Sequence, residues 1–461
     1  MGAAASSEPP PDVVEACVTL ESGDVEEILS VFLRAASCAS PTNGFGGDAS
    51  LQTTPRALAG RVVALDATVP GLDPDDPRTC EALGLSQALG RAAASLAMND
   101  ATDADVRPTA LRARHLVTLA ARCKSAEARA GLARDIFAIV GPERALRDLA
   151  ILAVGESAVA SDPLAGIALA SLARALVDRD DLPRHIARRC PAAWDTLRAL
   201  VQPSLRRIAR PPVLADAAGV PLDLTRDSPR RLVTPFVAWF LSGGMPSEWR
   251  GAWRRLFDSD VDGLSFQTFL SRVVDQGPAL VAVRTRAGDV LGGVSSESLT
   301  SKPEFFGDAR SFVFALGRAE PDRSVDGDPP AEVGAHPASG RNENFAWCAS
   351  GFASERFPNG VGFGGQVGHH SVWIDADFEA GHSRSSAATF GAPRLLSGGD
   401  STGAFRVDAI EAWGLAPPPE PEPGSRRRGV GGGVLGAKHA EARMLMETAR
   451  RDAGGPERQE R

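Results

Sequence analysis

Apolar residues recur with a helical period over the first half of the chain. Such segments lie near residues 80–97, 109–123, 126–140, 142–158, 163–178 and 192–208. Breaker pairs such as Gly141-Pro142 and Asp162-Pro163 separate them. Short connections of this kind predict an all-α helical domain built as a bundle or an array. No repeat of fixed period is found, which favours a bundle over a solenoid.

The apolar pattern changes to alternation after Gly277-Pro278. Ala279–Thr285 then predicts a strand, residues 286–289 a hairpin loop, and Val290–Val294 its partner. Further strands are predicted near residues 311–317, 344–348, 351–354, 361–366, 371–376 and 405–413. The second half of the chain is therefore expected to form an antiparallel β assembly.

Two further segments refine this division of the chain into a helical half and a β half. Apolar residues at Val233–Leu241, and then at Trp249, Trp253, Leu256 and Phe257, predict amphipathic helices leading into the β part. Residues 318–340 are rich in Pro, Gly and Asp and predict a surface insertion. The fold class is therefore expected to be α+β.

These patterns divide the chain into six segments. We predict a disordered leader at 1–11, a helical domain at 12–208, a connector at 209–228, a β-rich domain at 229–415, a Pro/Arg/Gly linker at 416–434, and a C-terminal helix and tail at 435–461.

Charge and composition narrow the function classes. The 461 residues carry 50 basic and 58 acidic side chains, for a net charge of -8, which argues against a general nucleic-acid binder. No run of about 18 apolar residues predicts a membrane span. The six cysteines have no paired spacing, so free thiols in a reducing compartment are expected.

The amino terminus carries a lipidation pattern. Met1-Gly-Ala-Ala-Ala-Ser6 matches the N-myristoylation motif, with Gly2 as the acceptor. A single myristoyl chain gives only marginal, reversible membrane binding, so a second attachment would be needed.

Glycine is concentrated in one stretch of the β part. Pro358–Gln366 holds Gly360, Gly362, Gly364 and Gly365, and Ser371–Phe378 and Gly381–Arg384 follow. Glycines within a strand mean that other atoms approach the backbone too closely for side chains.

Together with Phe305–Asp308, Asn342–Phe345, Ala392–Leu395 and Glu411–Gly414, this stretch resembles a TLDc domain, over roughly residues 240–415. The resemblance implies a two-sheet antiparallel β-sandwich with flanking helices. The signature positions, expected mostly to hold the fold, are Phe306, Gly307, Asp308, Glu343, Gly362, Gly364, Gly365, Gln366, Trp373, Asp375, Asp377, Gly381, His382, Ser383 and Trp413. The chain departs from the family at His369-His370-Ser371, where aromatic residues are usual, and at Phe345 and Trp347, where tyrosines are usual.

The same resemblance implies partners. TLDc proteins are linked to the vacuolar-type proton ATPase and to oxidation resistance. The layout of Gly2, helical half, TLDc domain and tail helix is similar to that of a lysosome-located member associated with TOR signalling, whose helical half is EF-hand-like. We therefore expect a non-enzymatic adaptor, without a cofactor, peripheral on lysosomal or vacuolar membranes. The alternative is a soluble TLDc protein that confers oxidation resistance.

Three motifs compete with this interpretation. Asp258–Gly263 imitates the start of an EF-hand loop, but Phe269 replaces the bidentate Glu, so a polar turn is favoured. The glycines at 360, 362 and 365 spell GxGxxG, yet a strand rather than a helix is predicted to follow. His369, His370 and His382 lie near Asp375, Asp377 and Glu379, which permits a metal centre.

For that last cluster we favour a structural network in which His382 and Arg384 bind the carboxylates. Glu343 with Asp375 as acid and base, or Cys348 as a nucleophile, would be the catalytic alternative.

Overall fold

The computed structural model describes residues 20, 24–25, 28, 62–64, 110–176, 182–202, 205–222, 230–318, 331–352, 356–397 and 403–418. Predictions for Gly2, the helix at 80–97, the linker beyond residue 418 and the tail helix fall outside these residues. Close packing divides the chain into two units, residues 1–212 with 234–250 and residues 213–233 with 251–461. Among the described residues, no helix combines the length and apolar character needed to span a bilayer.

The first unit is mostly helical. Its elements are β1 (Val62–Ala64), β2 (Ala110–Arg112), α1 (Ala113–Arg122), α2 (Ala126–Val140), α3 (Pro142–Val154), α4 (Glu156–Ala160), α5 (Pro163–Leu176), α6 (Leu182–Arg189), α7 (Pro191–Val201), α8 (Arg206–Ala209) and α9 (Pro235–Ser242). The breaker Gly141-Pro142 acts as expected, because Gly141 takes a positive φ angle of 89° where α2 ends. The predicted helix at 142–158 is instead divided into α3 and α4 at Gly155, whose φ angle is 92°.

Helix α9 packs into this unit through polar contacts at both ends. Thr234 caps α9 by accepting from Val237 N at 3.1 Å, and its hydroxyl donates to the buried Asp162. Asp162 also caps α5 by accepting from Leu164 N at 2.8 Å. The indole of Trp239 donates to Thr196 Oγ1 at 3.1 Å.

The first unit is not purely helical, which corrects the prediction of an all-α domain. Strands β1 and β2 pair antiparallel, with Val62 opposite Arg112 and Ala64 opposite Ala110. Residues 62–64 and 110–112 are therefore strands. The boundary of the helical domain and its EF-hand-like character stay predictions.

The described residues of the second unit form the sheet and short helices. Its elements are β3 (Val213–Ala215), β4 (Ala252–Asp258), α10 (Ser259–Asp262), α11 (Phe266–Val273), β5 (Pro278–Thr285), β6 (Asp289–Ser298), β7 (Lys302–Phe306), β8 (Phe312–Arg318), β9 (Gly334–Pro337), β10 (Ala346–Ala349), β11 (Gly360–Phe363), β12 (Val372–Asp375), β13 (Ala380–His382) and β14 (Ala404–Gly414). An α+β fold with a large antiparallel sheet is thus present.

Strand β14 is the branch point of this sheet. Along one edge it pairs with β5 from Val407 to Gly414, and along the other it pairs first with β13 and then with β4. One branch continues from β13 through β12, β11 and β10 to β7, while β5 leads to β6, β8 and β9. A Cβ added to Gly293 on β6 would lie 2.3 Å from the ring of Phe363 on β11, so Phe363 packs against β6 at this glycine. The two-sheet sandwich itself stays a prediction.

The structure corrects several predictions about this unit. Residues 252–258 form strand β4 instead of a helix, because β4 lies between β3 and β14 and its last three residues, Leu256, Phe257 and Asp258, are all buried, which removes the alternation. The predicted insertion at 318–340 contains β9, which pairs with β8. The segment 209–228 contributes β3, which pairs in parallel with β4. Strand β7 was not predicted, and Gly351-Phe352 is not a strand.

Candidate functional site: the signature hairpin

Strands β11 and β12 and the turn between them, residues 360–375, are called the signature hairpin here. Strand β11 is the centre of the glycine-rich stretch, and atoms of the adjacent strands fill the space where its side chains would lie. Gly362 lies opposite Trp347 on β10 and opposite Trp373 on β12. A Cβ on Gly362 would come within 2.7 Å of the Trp373 ring, and one on Gly360 within 2.3 Å of a backbone carbonyl. Two indoles therefore pack over the strand, and the glycines make room for them.

The turn that joins β11 to β12 needs glycine for a second reason. Gly364 and Gly365 have φ angles of 70° and 77°, which L side chains rarely adopt. Gly365 N donates to Thr389 Oγ1 at 2.7 Å, and Asn344 Nδ2 donates to Gly365 O at 2.7 Å. The exposed Gln366 pairs with His369 across the turn. A dinucleotide-binding fingerprint is followed by a helix, but strand β12 follows here. The GxGxxG pattern is therefore not such a fingerprint.

The signature carboxylates do not converge. Asp375 Oδ1 accepts from Trp373 Nε1 at 2.5 Å, while Asp377 is exposed and accepts from Glu379 N at 2.9 Å. Strand β12 ends at Asp375, and the chain reverses just after Asp377, where Phe378 takes a φ of 58° and packs in the core. Glu343 is exposed on a separate loop.

The predicted network of His382 with these carboxylates is therefore wrong, while the pairing of Arg384 with them stays a prediction. His382 lies opposite Trp373 in the register of β12 and β13, two positions from Asp375, and its Nε2 has no hydrogen-bond partner among the described residues. His382 instead faces the Trp373 indole at 6.3 Å. Among the described residues, no group of three His, Cys, Asp or Glu side chains could hold a metal ion.

The other signature residues hold loops and strand ends. Ser383 Oγ donates to Ser371 O at 2.7 Å, and a Cβ on Gly381 would lie 2.2 Å from Trp373 O. Gly307 has a φ of 96°, beside the buried Phe306. Asp308 N donates to Ser296 Oγ at 2.8 Å, and its carboxylate binds Arg310, which lowers the pKa of Asp308. These residues act in packing and hydrogen bonding.

The segment that resembled an EF-hand loop uses its carboxylates for capping. Asp258 accepts from Asp260 N at 3.0 Å, and Asp262 accepts from Asp258 N at 3.0 Å. Asp262 also pairs with Arg272 at 2.8 Å. Phe269 is buried where a bidentate Glu would be required. The segment forms the short helix α10 between β4 and α11, where a polar turn was predicted.

A buried carboxylate that sequence reasoning did not single out lies on β14. Glu411 accepts from Leu232 N at 2.8 Å, from Val233 N at 3.1 Å and from Trp413 Nε1 at 2.9 Å. Burial raises the pKa of Glu411 to about 7, and these donors oppose that rise. A charged residue inside an apolar strand was the available sequence signal. Glu411 thus fastens residues 232–233 to β14.

The cysteine thiols in the described part of the chain are buried. Burial raises the pKa values of Cys123, Cys190 and Cys348 to about 12, and the thiolate is the reactive form. We expect iodoacetamide at pH 7.5 to leave these three cysteines unlabelled in the folded chain and to label them in urea, as read by peptide mass spectrometry. Rapid labelling of Cys348 in the folded chain would restore it as a candidate nucleophile.

Comparison with known proteins agrees with this geometry. A model of the TLDc domain matches residues 227–416. Mouse MTOR-associated protein MEAK7 is 33% identical over 214 residues, which are 46% of this chain and 42% of that protein. The zebrafish MTOR-associated protein MEAK7 is 34% identical over 183 residues, 39% of this chain and 36% of that protein.

The chain therefore matches less than half the length of these MEAK7 proteins. Oxidation resistance protein 1 of Schizosaccharomyces pombe is 26% identical over 194 residues, 40% of this chain and 93% of that protein. The range that matches the TLDc model contains strands β4–β14 and the signature hairpin. Residues 227–416 of this chain are a TLDc domain.

Proposed function

We propose that this chain is a non-enzymatic TLDc adaptor that binds the vacuolar-type proton ATPase on lysosomal or vacuolar membranes and contacts proteins of the TOR pathway. The observation that carries the proposal is the TLDc domain at 227–416 together with relatives named as MTOR-associated. In this proposal the TLDc domain is a two-sheet sandwich, and the helical half and tail supply further contacts.

The chemistry of the signature hairpin supports an adaptor over an enzyme. Asp375 is engaged by its own neighbour Trp373, Asp377 caps a turn, and the pKa of the Cys348 thiol is raised to about 12. A general acid or base must reach a substrate proton, and a nucleophile must be ionised. These residues are used in holding the fold.

Membrane attachment in the proposal has two parts. A myristoyl group on Gly2 would give marginal affinity, with an association constant of about 10⁴ M⁻¹. Binding to the pump would supply the second contact, and two linked weak contacts multiply in effect. Each contact is therefore needed for stable association.

The test uses the full chain, made with and without N-myristoyltransferase, and two kinds of vacuolar vesicle, one with the proton pump and one from cells that lack it. Co-sedimentation is expected only for the myristoylated chain on pump-bearing vesicles. We expect Gly2→Ala, or loss of the pump, to reduce the bound fraction by about tenfold or more. Equal binding to both vesicle types would overturn the pump as the partner, and unchanged binding of Gly2→Ala would overturn the lipid contact.

A second candidate is a soluble protein that confers oxidation resistance. It is favoured by one observation, the match to 93% of the Schizosaccharomyces pombe protein of that name, at 26% identity. Expression of the chain in cells lacking their own TLDc protein separates the two functions. Peroxide resistance restored equally by the wild type and by Gly2→Ala, with no pump association, would favour this candidate.

A further inference from the structure

His370 is a histidine without the contacts that a buried histidine needs. Its side chain is fully buried, and neither ring nitrogen has a hydrogen-bond partner within the described residues. The ring stacks on Trp373 with centroids 4.6 Å apart. A Cβ on Gly362 would lie 3.0 Å from the same ring, so the opposite strand is also close. Buried polar groups without partners are costly, and few proteins keep them.

A second histidine lies beside the first. His382 on β13 is half-buried, its ring centroid is 6.0 Å from that of His370, and its Nε2 also has no hydrogen-bond partner. Two imidazoles this close cannot both become cationic without repulsion. Both rings therefore pack as neutral groups.

Among the described residues that face His370, none is acidic. The groups that face His370 are Phe305 on β7, Trp347 on β10, Gly362 on β11, Trp373 on β12 and His382 on β13, with His369 as its chain neighbour and Arg384 beside His382. The titratable or charged members of this set are basic. Burial is the larger cause and the basic neighbours are the smaller one. Together they lower the pKa of His370 to about 3 and that of His382 to about 4.

We propose that His370 and His382 make this corner of the TLDc domain acid-sensitive. When the rings are protonated, His370 leaves its place on Trp373 and the turn at residues 364–371 opens together with β13. The turn depends on this corner, because Arg384 N donates to His370 O at 3.0 Å and Ser383 Oγ donates to Ser371 O at 2.7 Å. Acid thus releases the segment 364–384 while the rest of the sheet stays paired.

The direction of the effect follows from linkage. Both pKa values are lower in the closed state than the ordinary 6.5, so the opened state takes up protons first. The stability from the neutral pair is full above pH 6.5 and is lost as the pH falls toward 4. At pH 5 each histidine should favour opening by about 30-fold relative to neutral pH.

Amide hydrogen exchange of the full chain at pH 7.2 and pH 5.0, corrected for the intrinsic rates, tests this proposal. We expect protection of residues 364–384 to fall by about 30-fold or more at pH 5.0, while β5 and β6 change by less than about threefold. His370→Phe keeps a flat ring on Trp373 and should lower the loss by the share of His370, about 30-fold, and His382→Gln should lower it by a similar share. His369→Gln is the matched control, because His369 is bonded to Ser386 at 2.7 Å and should leave the loss unchanged.

Equal loss of protection in 364–384 and in β5–β6, or the same loss in His370→Phe, would overturn the proposal. Should the variants not fold, nuclear magnetic resonance of ring-labelled wild-type histidines decides. Rings that stay neutral down to pH 5, until amide exchange rises, support the proposal. Rings that titrate near pH 6.5 in the closed state overturn it.

Discussion

Replacing Gly365 with alanine is expected to destabilise the TLDc domain by about 3–5 kcal/mol. The φ angle of 77° alone costs an L side chain about 1–2 kcal/mol. In addition, a Cβ at this position would lie 2.0 Å from the carbonyl oxygen of His369, a backbone atom that can move only with the turn. Relief of that overlap would also break the bond from Gly365 N to Thr389.

Gly368 in the same turn is the matched control. Its φ angle of 75° is nearly the same, but a Cβ there would meet nothing within 4 Å. Gly368→Ala should therefore cost only about 1 kcal/mol. Urea unfolding of the full chain, followed by tryptophan fluorescence, compares the two. Similar losses for both variants would show that backbone conformation, not close packing, explains the glycines.

Replacing Glu411 with alanine is expected to destabilise the domain by about 3 kcal/mol, because three buried N–H groups lose their acceptor at once. The donors are Leu232 N, Val233 N and Trp413 Nε1. The loss should be larger at pH 5 than at pH 8. The folded pKa of Glu411 is raised from 4.5 to about 7, so its contribution is full below pH 4.5 and falls as the pH rises through 7.

Asp408→Ala is the control for Glu411 because Asp408 lies on the same strand and also binds residues near 230. Its carboxylate pairs with Arg284 at 2.6 Å and with Arg230 at 3.0 Å, and it is 31% exposed. Exposed pairs contribute about 1 kcal/mol or less, so a small loss is expected. Urea unfolding at both pH values gives the comparison. A Glu411→Ala variant as stable as Asp408→Ala would contradict the clamp.

Much of the β part could be predicted from the sequence because its signals are local. The change of period at Pro278 predicted β5 and β6, and the glycine spacing predicted the crowded hairpin. Strand β4 was mistaken for a helix because Trp253, Leu256 and Phe257 have helical spacing, while the burial of its last three residues depends on partners elsewhere in the chain. Strands β7 and β9 are short outer strands with prolines, which weakens any propensity signal.

The site was harder to predict because its contacts depend on register and on backbone atoms. Alternation placed Asp375 and Asp377 on one face, but β12 ends at Asp375 and Phe378 reverses the chain. Two of the groups that donate to Glu411 are backbone amides 178 and 179 positions away. Because nearly every residue has a backbone amide, the sequence does not show which amides will bind a carboxylate. The pairing of His370 with His382 likewise needed the β12–β13 register.

The most direct test of an adaptor role is binding of the purified full chain to the detergent-solubilised vacuolar-type proton ATPase, measured by biolayer interferometry. No bilayer is present in this experiment, so the lipid on Gly2 should not affect binding. The adaptor proposal therefore predicts saturable binding that is the same for the wild type and for Gly2→Ala. It also predicts the same binding for Asp375→Asn, since an amide oxygen can still accept from Trp373 Nε1. Absence of saturable binding by the folded wild-type chain would contradict the account.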